Sequence, residues 1–88
     1  MKIKIDKDLL LIFERIKQKN ISVKQWSQIE SSDMFQTKYF NGGFDATEEA
    51  FCFSYYDIND TEYWFQITLD EIYEVLKREK GYIDIHKF

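Results

Sequence analysis

The chain has 88 residues, of which 44% are hydrophobic and 18% aromatic, and its formal net charge is −4. This length predicts one domain, residues 1–88, with a single modest core. One cysteine excludes an internal disulfide. With only one histidine beside it, there is no cluster for zinc, so we expect no metal and no cofactor.

The sequence predicts no membrane segment and no targeting signal. Its start, residues 1–6, lacks the apolar run of a signal peptide. No stretch approaches the roughly 18 consecutive apolar residues that cross a bilayer. We therefore expect a cytoplasmic protein without a membrane partner.

Charge is unevenly divided along the chain. Residues 1–28 contain seven Lys or Arg and three Asp or Glu, a net charge of +4. Residues 29–88 contain five Lys or Arg and thirteen Asp or Glu, a net charge of −8. Such a division is also found on ordinary solvated surfaces. Its functional interpretation is an acidic part that meets a basic partner.

A first helix is predicted over residues 7–19, after a short strand or extended lead-in at 1–5. Asp6 suits the N-cap, because its short side chain can accept a hydrogen bond from the first helical turn. Asn20 suits the left-handed residue that ends many helices. The apolar residues recur at spacings of three and four, which is typical of one buried helix face. They are Leu9, Ile12, Phe13 and Ile16.

A second helix is predicted over residues 23–30, because Ser22 and Gln25 have the spacing of a capping box. Its inward residues are expected to be Val23, Trp26 and Ile29. Two helices joined by a short turn resemble a DNA-binding helix-turn-helix, and this part of the chain is basic. Its outward polar residues lack an arginine that could recognise guanine. They are Lys24, Gln25 and Gln28.

A nucleic-acid-binding regulator that uses this basic helix pair is therefore the alternative function. We do not expect it, because the remaining residues 29–88 carry a charge of −8 and repel phosphate.

The dipeptide Asn41-Gly42 predicts a tight turn after an extended segment at 35–40. It does not predict a phosphate-binding loop, because neither Gly-Lys-Ser/Thr nor a GxGxxG pattern is present. Residues 46–49 predict a polar link or one helical turn before the next strand.

The stretch 50–68 predicts a β-hairpin, because apolar residues alternate on both sides of a polar turn. The alternating residues are Phe51, Phe53, Tyr55, Tyr63, Phe65, Ile67 and Leu69. Directly opposed residues of an antiparallel pair share a face, so we place Phe53 opposite Phe65 and Tyr55 opposite Tyr63. This register leaves a three-residue loop, Ile58-Asn59-Asp60, whose last residue is expected in the left-handed region.

A two-residue turn at Asn59-Asp60 is the competing register. It would place Phe53 opposite Gln66 and mix apolar with polar residues on both faces of the hairpin. The three-residue loop keeps one face apolar, so it is the register that the sequence favours.

The other face of the hairpin carries small and polar residues around Tyr56 and Trp64. An aromatic pair with a polar rim is typical of a protein-binding hot spot, and acids beside it would steer a basic partner. The predicted partner-binding residues are Tyr56, Asp57, Asp60, Glu62, Trp64 and Gln66. The alternative is that the N-terminal segment or the C-terminal strand covers both rings and makes them part of the core.

A third helix is predicted over residues 69–80, with Thr68 and Glu71 as its capping box and Gly81 beyond its C-terminus. Its inward stripe is Leu69, Ile72, Tyr73 and Leu76, flanked by Val75. Residues 82–88 alternate again and predict a last strand at the sheet edge, with Ile83 and Ile85 on one side.

Together these elements predict an α+β fold in two layers. It has two N-terminal helices, an antiparallel sheet centred on the 50–68 hairpin, a C-terminal helix and a short final strand.

No residue pattern predicts a catalytic centre. His86 is alone near the end of the sequence, and Cys52 on a strand suits a core or interface residue. Three acidic clusters suit turns or a helix N-terminus, and none has the spacing of an EF-hand loop. They are Asp45/Glu48/Glu49, Asp57/Asp60/Glu62 and Asp70/Glu71/Glu74. We therefore expect that the protein is not an enzyme, with a shallow acidic active site as the third hypothesis.

Small size, acidity and the lack of catalytic groups predict a small module that binds another protein, whose surface is basic. An inhibitor of the antitoxin or immunity-protein type is the most specific form of this prediction. It depends on composition and not on a motif.

Overall fold

The computed structural model describes residues 1–29, 35–78 and 81–87. The helices in these ranges are α1 (Lys7–Lys19), α2 (Val23–Ser27) and α3 (Leu69–Arg78). The strands are β1 (Lys2–Lys4), β2 (Phe35–Gln36), β3 (Phe40–Asp45), β4 (Ala50–Tyr56), β5 (Glu62–Ile67), β6 (Tyr82–Asp84) and β7 (His86–Lys87). This is the α+β fold that the sequence predicts.

The strands form two antiparallel sheets. The main sheet has five strands in the order β2-β3-β4-β5-β7, and β1 pairs with β6 in a separate two-stranded sheet. The predicted single strand at 82–88 is therefore wrong in one respect, because the chain changes sheets between β6 and β7. At the change, the Ile85 N–H donates to the Met1 carbonyl at 2.7 Å, and Ile85 itself is buried. Residue 88 lies outside the described ranges.

Helix α1 has the predicted bounds because both of its caps are present. The Asp6 carboxylate accepts a hydrogen bond from the Leu9 N–H at 3.0 Å, which satisfies one unpaired donor of the first turn. Asn20 ends the helix with φ 50°, and its N–H donates to the Lys17 carbonyl. The predicted apolar stripe is buried.

Both predicted capping boxes are also present. The Ser22 and Gln25 side chains each accept from the other's backbone N–H, at 3.2 and 2.9 Å. The Thr68 and Glu71 side chains do the same at the start of α3. The ends differ from prediction: α2 stops at Ser27 and not at residue 30. Within the described residues α3 runs to Arg78, so residues 79 and 80 of the prediction lie outside them.

The core lies between the three helices and one face of the main sheet, called here the inner face. Every buried residue of the described ranges is apolar, and nearly all of them form one cluster. Trp26 of α2 is in ring contact with Phe51 of β4 at 5.0 Å between centroids, and also with Phe35 and Phe44. In α3, Val75 is fully inward, whereas Tyr73 is only half-buried.

The hairpin has the predicted register. Phe53 lies opposite Phe65 and Tyr55 opposite Tyr63, with ring centroids 5.4 and 5.3 Å apart. Asp60 closes the three-residue loop with φ 59°, in the left-handed region. Both phenylalanines are buried on the inner face, and their neighbours on each strand therefore lie on the opposite face.

The predicted turn at Asn41-Gly42 is wrong, because both residues lie inside β3. The turn comes earlier, at residues 37–39. There the Thr37 N–H donates to the Phe40 carbonyl at 2.8 Å, and the Thr37 hydroxyl accepts the Phe40 N–H at 3.0 Å. A threonine side chain that binds backbone two or three residues ahead stabilises a turn without any glycine.

Gly42 is needed for close packing and not for a turn. It pairs with Phe35 of β2 on one side and with Phe53 of β4 on the other. A Cβ added to Gly42 would overlap the Cys52 carbonyl oxygen and lie 2.8 Å from Phe53 Cα. A glycine inside a strand often marks such a close backbone approach.

We expect Phe53→Ala and Phe65→Ala each to lower the free energy of unfolding by about 3–5 kcal/mol, because each leaves a cavity in the core. Urea denaturation measures this loss. Tyr56→Ala, an exposed residue of the same hairpin, is the control and should change stability by less than about 0.5 kcal/mol. A small loss from both phenylalanine variants would contradict the register.

We expect Gly42→Ala to destabilise the fold by about 1–3 kcal/mol, because the neighbouring backbone must move to admit the methyl group. Gly81→Ala is the matched control, since a Cβ there meets nothing within 4 Å and φ is not positive. Both substitutions reduce the conformational entropy of the unfolded chain equally, so this effect cancels when the two variants are compared. Equal stability of the two variants in urea denaturation would show that Gly42 is not sterically required.

Candidate functional site

The predicted partner-binding residues lie on or beside the outer face of the main sheet, opposite the core. Across this face Asn41, Ser54, Trp64 and His86 form one row, each directly opposite the next. The His86 ring lies 4.6 Å from the Trp64 ring, between centroids. Trp64 is therefore half-buried against β7, without being part of the hydrophobic core cluster.

Tyr56 lies at the end of β4 and is 57% exposed. It pairs with Glu62, the first residue of β5. The polar interaction with the Glu62 carboxylate, followed by burial and the charge of Asp60, raises the pKa of Tyr56. The ring is thus held beside two carboxylates while most of its surface stays open to solvent.

Asp57 begins the loop of the hairpin and is fixed by it. Its carboxylate accepts the N–H groups of Thr61 at 3.0 Å and Asn59 at 2.8 Å. These bonds, led by that from Thr61, lower the pKa of Asp57, and the nearby Tyr63 side chain and the charge of Lys87 lower it further. The group is therefore ionised at neutral pH and cannot move away from the end of the hairpin.

Gln66 lies farther from this acidic loop. It pairs with Cys52 across β4 and β5. Burial, together with the charge of Asp45, raises the pKa of the Cys52 thiol, so the thiol form prevails at neutral pH. The structure thus brings four of the six predicted residues together at the hairpin end and leaves Trp64 and Gln66 along the face.

Two exposed apolar residues outside the predicted site join the hairpin end. Tyr39, in the turn before β3, is 52% exposed, and Ile58, at the tip of the loop, is 98% exposed. Phe40 pairs with Tyr55, so the turn that holds Tyr39 lies next to Tyr56. Two shallow grooves are each lined by both tyrosines. The turn-end surface is defined here as Tyr39, Tyr56, Asp57, Ile58, Asp60 and Glu62.

The exposure of Ile58 could have been predicted from the sequence, because an apolar residue at the tip of a three-residue loop cannot reach the core. The exposure of Tyr39 could not have been predicted, because it depends on the position of the turn, which we predicted at Asn41-Gly42.

The basic helix pair offers a weaker surface. Lys24, Gln25 and Gln28 are all exposed. However, the Gln25 side chain accepts the Ser22 N–H, and α2 has five residues, fewer than two turns. The recognition helix of a helix-turn-helix lies in the major groove and needs several free side chains on one face.

Within residues 1–29, 35–78 and 81–87, no three His, Cys, Asp or Glu side chains are grouped so as to hold a metal ion. In the same ranges, no helix is both long enough and apolar enough to cross a membrane. In comparisons with known proteins, no protein-family model, curated protein or solved structure matches this chain.

We expect acid to destabilise the protein partly through Asp57. Its pKa is lower in the folded than in the unfolded chain, so its contribution to stability is present above about pH 4 and is lost as the pH falls toward the folded value. Asp57→Asn keeps an acceptor for the loop but cannot titrate. Urea midpoints measured from about pH 5 to pH 2 should therefore fall less steeply for Asp57→Asn. Parallel curves would show that the loop does not favour the ionised carboxylate.

Proposed function

We propose that this protein is a small acidic module that binds a basic protein partner through the turn-end surface, as an inhibitor of the antitoxin or immunity-protein type. The observation that carries the proposal is the grouping of three exposed apolar side chains at one end of the sheet. These are Tyr39, Tyr56 and Ile58.

Exposed apolar residues scattered singly over a surface need no explanation, whereas a group of them does. Tyrosine is enriched at the centres of protein interfaces, because its ring supplies area while its hydroxyl keeps a polar partner. Tyr56 has both properties, since it lies opposite the Glu62 carboxylate and most of its ring is exposed. The turn-end surface therefore has the composition of an interface centre.

Charge favours a basic partner. Asp57, Asp60 and Glu62 surround Tyr56, and residues 29–88 carry a net charge of −8. Such a field raises the rate of encounter with a basic surface and opposes binding of acidic ones. Inhibition then follows by occlusion of the partner's basic surface. Trp64 and Gln66 would extend the contact along the outer face.

The test is capture of the partner, followed by measured affinities. We expect Tyr39→Ala and Tyr56→Ala each to weaken binding of the captured protein by about 2 kcal/mol or more, with little effect on folding. Isothermal titration calorimetry gives the affinities, and thermal unfolding gives the stability of each variant.

Tyr82→Ala is the matched control. Tyr82 is an exposed tyrosine of β6, and the groove that it lines contains none of the turn-end residues. This variant should bind the partner normally. Equal losses from Tyr82→Ala, or unchanged binding by both turn-end variants, would rule out the turn-end surface as the interface.

A further inference from the structure

We infer that one groove of the turn-end surface receives a cationic side chain, the guanidinium of an arginine or the ammonium of a lysine, from the bound partner. This inference specifies the contact within the proposed function and depends on it. The groove lies where the start of α1, the turn before β3 and the end of the hairpin meet. Its lining residues are Asp6, Tyr39, Phe40, Tyr55, Tyr56, Asp57 and Ile58.

Four aromatic residues line this groove. The Phe40 and Tyr55 rings lie side by side, with centroids 5.3 Å apart. The exposed Tyr39 lies in the turn before β3, and the exposed Tyr56 is the last residue of β4. Aromatic faces attract cations through their quadrupole, and tyrosine is a better partner than phenylalanine. The protein itself contains an example, because the Lys38 ammonium lies 5.4 Å from the centre of the Tyr39 ring.

The groove also contains fixed negative charge. Asp6 is held by the Leu9 N–H, and Asp57 by the N–H groups of its loop. All of these bonds go to one oxygen, Oδ1, of each carboxylate, and an ionised carboxylate can accept about four hydrogen bonds. Both groups therefore keep acceptor capacity for a cation while remaining anchored.

None of the described lining residues of this groove is Lys or Arg. Two cations of this chain lie beside it, because the Lys38 ammonium lies over the Tyr39 ring and the charge of Lys87 helps to lower the pKa of Asp57. An apolar occupant would remove water from two carboxylates without compensating them, which is unfavourable. A cation compensates both and stacks on the rings as well. The groove volume, about 280 Å³, is below the range of roughly 300–1,000 Å³ for small-molecule pockets and suits one side chain.

The experiment uses a capped pentapeptide, Gly-Ser-Arg-Ser-Gly, titrated into the full 88-residue chain and followed by amide chemical shifts. Its matched control has citrulline in place of arginine, which is almost the same shape but uncharged. A second pair compares lysine with acetyl-lysine. We expect the cationic peptide of each pair to bind in the millimolar range and about fivefold more tightly than its neutral partner. The shifts should centre on Tyr39, Tyr56 and Ile58.

Variants separate the rings from general acidity. Tyr39→Leu and Tyr56→Leu keep apolar surface but remove the aromatic face, and each should reduce cationic binding about threefold or more. Tyr56→Phe should retain most of it, and Tyr82→Leu all of it. Equal affinity of charged and neutral peptides, or shifts centred on the acids of α3, would overturn the inference.

The two sets of experiments distinguish failure of the cation contact from failure of the proposed function. Suppose that Tyr39→Ala or Tyr56→Ala abolishes binding of the captured partner, but the charged and neutral peptides of each pair bind with equal affinity. The turn-end surface is then the interface, but it does not receive a cationic side chain. If cationic peptides bind more tightly but binding of the partner does not depend on these tyrosines, the groove binds cations and the proposed function is wrong.

Discussion

The stacking of Phe53 on Phe65 is the contact on which the rest of this structure depends. The two rings lie directly opposite each other across β4 and β5, at 5.4 Å between centroids. Because side chains alternate along a strand, a slip of one residue would turn Phe53 outward and bring a polar residue into the core. The same register sets Tyr56 opposite Glu62. Core stability and the composition of the outer face are therefore fixed together.

The loop that closes this hairpin connects its stability to the candidate site. Asp57 accepts two loop N–H groups, and Asp60 adopts the left-handed conformation that a three-residue loop requires. The acids beside Tyr56 are thus structural residues first, and their positions do not depend on a partner. A surface that is already ordered loses less conformational entropy when it binds. The conformational entropy of the Asp57 side chain is lost when the chain folds and not when it binds.

The sequence predicted the elements whose signals are local. The caps at Asp6, Ser22 and Thr68 are correct because each depends on a hydrogen bond to a residue three positions away. The hairpin register is correct because both strands alternate around one short loop. The predicted turn at Asn41-Gly42 is wrong because packing between strands overrides the local turn preference of this dipeptide. Strand β4 passes so close to β3 that only glycine fits at Gly42. The switch of the C-terminal segment between two sheets likewise has no local signal.

The candidate site was only half predictable for the same reason. Tyr56 and the acids belong to one hairpin, so alternation and loop length place them correctly. Tyr39 comes from a different turn, and only the pairing of Phe40 with Tyr55 brings it beside Tyr56. No spacing within the sequence encodes that neighbourhood, because it is created by the register of β3 on β4. A groove with aromatic residues from a turn and two strands, and carboxylates from a helix cap and a loop, is therefore visible only once the sheet is assembled.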